Sequence, residues 1–86
     1  MNEESERLQS EVAVGDNYHR AWLGIVRPFF LAKTEELYQH FVDCPTTDER
    51  QLMLIKMQVN ALNSLKDEFE SYINTGKLAK KQLEEE

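Results

Sequence analysis

The stretch HFVDCPTTDER, residues 40–50, decides how this chain turns. It holds the chain's one cysteine, one of its two histidines and several carboxylates. Two readings compete: a reactive site, or a corner between two helices. The residue before a proline is pushed out of the α region, so Cys44-Pro45 stops a helix. TTDE then has the form of a capping box. Thr46 is placed to accept from the Glu49 backbone N–H, and the Glu49 carboxylate to reach back to Thr46. Asp48 and Glu49 suit the positive end of a helix dipole. A nucleophilic reading needs an imidazole against the sulfur and donors for an oxyanion. His40 and Cys44 are four apart where a helix ends, and nothing nearby supplies those donors. The stretch reads as a corner.

Working outward, the residues after the corner carry Leu52, Ile55, Val59, Leu62, Leu65 or Lys66, Phe69 and Ile73. This is a three–four alternation without internal Gly or Pro, which predicts a helix over about 47–75. Gly76, followed by Lys77, reads as its C-cap. Before the corner, Phe30, Leu31, Leu37, Tyr38, Phe41 and Val42 predict a helix over 28–43 that begins at Pro28, where a proline is tolerated. Tyr18, Trp22, Ile25 and Phe29 recur at helical spacing over 16–27, after a break and N-cap at Gly15-Asp16. Arg27-Pro28 is either a kink or the junction of two helices in series. No strand pattern competes.

The last helix would run about 27 residues, roughly 40 Å. The 28–43 helix reaches little more than half of that, and adding 17–27 makes the lengths equal. The expected fold is therefore all-α: an antiparallel helical hairpin with a Pro-interrupted first arm, over residues 16–76. Residues 1–15 are expected to be an acidic, flexible or weakly helical lead segment, and residues 77–86 a charged C-terminal tail.

The 86 residues make one domain with a thin core. They are 41% hydrophobic and 30% charged, too apolar for a wholly disordered chain. The net charge is −6. Residues 1–16 hold Glu3, Glu4, Glu6, Glu11 and Asp16 against Arg7 alone, and no face is basic. Duplex DNA or an anionic bilayer would be repelled, so neither direct nucleic-acid binding nor membrane association is expected. The N-terminus is too acidic and polar for a signal peptide. AWLGIVRPFFLA, the longest apolar run, is broken by Arg27 and Pro28 and is too short to span a bilayer. A single cysteine cannot form an internal disulfide, which fits a reducing cytoplasm.

Other chemistry is poorly supported. One Cys and two His at residues 19 and 40 match no zinc spacing. Glu35-Glu36 and Asp67-Glu68 lack the Glu-x-x-His pattern of dimetal bundles. There is no phosphate-binding glycine loop. No catalytic, metal-ligating or cofactor-binding residue is expected, and no cofactor or small-molecule substrate. What remains is apolar surface. Phe29 and Phe30 are adjacent and point about 100° apart, so one narrow seam cannot cover both. Leu54 and Met57 lie off the main stripe, with Met53 nearby. The candidate interface is Tyr18, Trp22, Ile25, Phe29, Phe30, Leu37, Phe41, Met53, Leu54 and Met57, expected to drive self-association into a helical bundle.

The order of parts carries a resemblance. RPFFLAKTEELYQHF, then DCPTTDER, then a long helix ending YINTGKLA is similar to a group of short helical proteins of tailed bacteriophages, encoded among genes for virion parts. The shared positions are Cys44, Pro45 and Asp48 at the corner and Thr75 to Ala79 at the close, within residues 20–80. The resemblance implies a small structural or assembly protein without catalysis, whose partners are itself and other phage proteins. It implies a place in the cytoplasm of an infected bacterium or in the virion. It transfers no functional residue. The alternative is an acidic regulator that occupies the basic groove of a nucleic-acid-binding protein, suggested by the charge of residues 1–16.

Overall fold

The structure, a computed structural model, describes residues 3–85. It is an all-α antiparallel hairpin, with no strand among the described residues. The first arm is α1 (Glu3–Ala21), a single π-helical turn (Trp22–Val26) and α2 (Arg27–Asp43). The second arm is α3 (Glu49–Glu84), 36 residues without interruption. Together they form a rod of 63 × 21 × 15 Å.

Both ends of the expected hairpin need correction. The lead segment is not loose: α1 runs through Gly15-Asp16 without a break, and Leu8 is buried to 2% exposure. Nor does α3 stop at Gly76; it continues through the expected tail, burying Ala79 to 1%. The two extensions cover each other. Residues 1–2 of the lead segment and residue 86 of the tail lie outside the described residues.

The two glycines first read as punctuation explain this. A Cβ on Gly15 would lie 2.8 Å from the Cα of Gly76, and one on Gly76 would lie 2.9 Å from the Cα of Gly15. The backbones touch where the arms cross, and only glycine fits at either side. Neither residue has a positive φ, so close approach and not backbone freedom is their use.

The π turn answers the question left at Arg27-Pro28. In an α-helix the Pro28 ring would collide with the carbonyl of Gly24, four residues back. Instead the Arg27 N–H donates to the Trp22 carbonyl, five residues back, and the turn widens around the clash. The first arm is two α-helices in series, α1 and α2, joined without a break in the helical backbone by the π turn. A π turn holds one extra residue. Trp22 and Phe30, eight apart, therefore act as if seven apart, which is two turns, and their rings lie 5.8 Å apart. Leu8, Gly15 and Trp22 are spaced by seven, as are Phe30 and Leu37, with the extra residue absorbed between the sets. Across the seam, Ile55, Leu62, Phe69, Gly76 and Leu83 keep an unbroken seven-residue spacing. Gly15 meets Gly76, and Trp22 meets Phe69 at 5.8 Å between ring centroids.

The corner is tight and locally satisfied. Cys44 is extended (φ −75°, ψ 127°) and caps α2, its N–H donating to the Phe41 carbonyl. Asp48 N–H donates to the Pro45 carbonyl at 3.0 Å. The N-cap of α3 is Asp48, not Thr46: its Oδ1 accepts from the Gln51 backbone N–H at 3.1 Å. The expected N-cap is thus displaced by two residues, and α3 begins at Glu49, not at 47. The reciprocal half of a capping box is not formed, because the Asp48 N–H is taken by the Pro45 carbonyl. Thr46 and Thr47 are spent on the turn that Pro45 imposes.

Candidate functional site

The two halves of the rod are finished differently. At the open end, where the termini lie, α1 seals against the last half of α3, burying Leu8, Gly15, Gly76 and Ala79. An aromatic layer follows towards the middle. Tyr18 stacks on Tyr72 (centroids 4.3 Å, planes 17° apart) and meets the edge of Phe69 at 5.1 Å. Trp22 joins Phe69 and Phe30, and the Lys66 ammonium sits 5.9 Å from the Phe30 ring centroid. Each such ring pair adds about 0.5–1.5 kcal/mol beyond its buried area.

Beyond this layer, towards the corner, only Leu37 and Ile55 are buried between α2 and α3. Larger side chains hold the helices apart, and a groove of about 550 Å³ opens along one side of the seam. Tyr38 and Phe41 form its α2 rim, Leu52 and Val59 its α3 rim, and its walls are almost wholly apolar. A shallower groove of about 310 Å³ lies on the other side, between Phe29 and Leu65; Leu37 and Leu62 border both.

The expected interface residues therefore separate into two sets. Tyr18, Trp22 and Phe30 are half-buried in the aromatic layer, and Leu37 is core; these four build the hairpin. Ile25, Phe29, Phe41, Met53, Leu54 and Met57 are exposed, with Ile25 at 74% and Met53 at 63%. Leu31, Tyr38 and Val42 belong with them, each more than half exposed. Helical periodicity had already placed Tyr38 on α2, but its role on a groove rim shows only once α3 is beside it.

Charge follows the same division. Residues 27–66 carry five acidic and five basic side chains, so the whole net charge of −6 sits on the remainder of the chain. The described ion pairs are exposed and lie within single helices, for example Arg7 with Glu11 at 3.3 Å and Lys33 with Glu36 at 3.3 Å. Pairs of this kind add only about 0.3–0.5 kcal/mol.

At the corner, the Cys44 Sγ donates to the carbonyls of Pro45 (3.5 Å) and Asp48 (3.9 Å). Desolvation, and then the Asp48 carboxylate, push the Cys44 thiol up from its ordinary value. Both effects favour the protonated thiol, the reverse of what a nucleophile needs. His40 and Cys44 border the same shallow depression, but the Cys44 Sγ is directed to the Pro45 and Asp48 carbonyls and not to His40. No group of three or more His, Cys, Asp or Glu side chains converges as a metal site among the described residues. No helix among them is long and apolar enough to cross a membrane.

Comparison with known protein families, curated proteins and solved structures returns no match.

Proposed function

We propose that this chain is a small structural or assembly protein, of the kind found among tailed-bacteriophage virion genes, that works by helix-mediated protein–protein association and not by catalysis. The observation that carries the reading is the unequal finish of the rod. One half seals its own seam, while the other leaves Phe29, Phe41, Met53 and Met57 in water, each more than half exposed. Exposed apolar surface of this extent, with aromatic and methionine side chains at its centre, marks a surface that another protein covers. The order of corner and closing motifs supports the phage setting, with the host cytoplasm or the particle as its place.

Sedimentation velocity over a dilution series tests the association. Growth of mass with concentration is expected; a monomer throughout the micromolar range sinks self-association. Mass spectrometry of purified particles separates the two phage roles, because a virion part is present in fixed copy number and an assembly factor is absent.

The acidic open end favours a second reading, a regulator that occupies a basic groove. That reading requires binding to a basic partner that weakens steeply with salt. Association unchanged from low to high salt removes it.

A further inference from the structure

Resting on the self-association just described, we infer that the larger groove is filled by the same groove of a second copy, lying antiparallel, with the two corners at opposite ends of the shared segment. The first argument is area. The chain exposes 6757 Å², whereas a compact monomer of this mass exposes about 5,300 Å². The excess is roughly 1,500 Å², more than the about 800 Å² that one partner contributes to a standard interface. A second rod laid along the groove would cover part of this excess.

The second argument is charge. A partner for the corner half has to be apolar and close to neutral, because residues 27–66 are neutral themselves. A second copy of those residues meets both conditions. Orientation follows from the rest of the chain. A parallel pair would lay two open ends side by side and bring all twelve excess negative charges together. An antiparallel pair that overlaps only at the corner halves sends the open ends to opposite poles, separated by several Debye lengths of about 10 Å. The pairing is isologous: Tyr38 and Phe41 of each copy pack on the Leu52–Val59 rim of the other, and a two-fold axis closes the assembly as a dimer.

Cys44 is the only cysteine and lies at the corner, outside the larger groove. A nitroxide attached there turns orientation into a distance measurable by pulsed dipolar spectroscopy on the full chain. The antiparallel dimer places the two labels about 20–30 Å apart, since each corner lies some six to nine residues along the helices from the groove's centre. A dimer with labels closer than about 20 Å is parallel and overturns the inference, while leaving self-association standing. A monomer without dipolar coupling removes both. Mass growing past the dimer overturns the closed two-fold pairing. Tyr38→Lys serves as the second arm, since this exposed side chain is not needed to close the hairpin. The variant should keep its helicity and dimerise at least tenfold more weakly, and Glu6→Gln should change nothing. Unaltered dimerisation of a well-folded Tyr38→Lys chain excludes the larger groove as the interface.

Discussion

A methyl group has opposite effects at two of the three glycines. At Gly15 it would meet backbone on the other arm, which has no flexible end to move aside. Overpacking of this kind costs about 1–3 kcal/mol, more than the roughly 1 kcal/mol that alanine gains in helix propensity. Gly24 has nothing within 4 Å, so only the gain remains. Gly15→Ala should lower the melting temperature in circular dichroism, and Gly24→Ala should raise it. Glycine as a helix break and glycine as a helix contact look alike in one sequence; only the opposing residue tells them apart. That is why Gly15 and Gly76 were misread while the Cys44-Pro45 stop, a purely local effect, was legible. The cap is a similar case. Asp48→Ala should cost about 1 kcal/mol and Thr46→Ala almost nothing, as chemical denaturation would show. Asp48→Asn keeps a capping oxygen and leaves the desolvation that mainly pushes the Cys44 thiol up, but removes the negative charge that adds to it. Alkylation of Cys44 at mildly alkaline pH should therefore be faster in that variant than in the parent chain.

The first arm shows why a correct pattern can still give the wrong face. Tyr18, Trp22, Ile25 and Phe29 are spaced as one stripe of an uninterrupted α-helix, yet Ile25 and Phe29 are exposed while Phe30 turns inward. The extra residue in the π turn rotates everything after it by about 100°, and Pro28 is the local signal for where the turn opens. The helical character was legible because periodicity survives on each side. The register change was not, because it depends on keeping pace with an unbroken α3. The turn should consequently be removable. Deleting Gly24 together with Pro28→Ala joins the two seven-residue patterns into one, and the chain should keep its helicity and melt cooperatively at a similar or higher temperature. Loss of cooperative melting would mean that the widened turn does more than absorb a residue.

Taken together, the rod holds two regions of unequal strength joined by a ring layer. The open end buries small and aliphatic residues in close contact, whereas the corner half buries little beyond Leu37 and Ile55. Local opening follows such differences. Hydrogen exchange in dilute solution should be faster for amides of residues 30–60 than for those flanking Gly15 and Gly76. Raising the protein concentration should slow the first set and leave the second unchanged. The all-α class and the hairpin were legible because both follow from spacing and a stop signal. The sealed end was not, since its strength comes from a match between the first and last quarters of the chain. Trp22 stands at the border of the two regions, between Phe69 and Phe30, and it is the only tryptophan. Its emission wavelength therefore acts as a built-in gauge: it reddens when the middle of the rod wets. Compared with the far-ultraviolet signal of the whole chain, it tells whether the hairpin melts from its corner or from its ends.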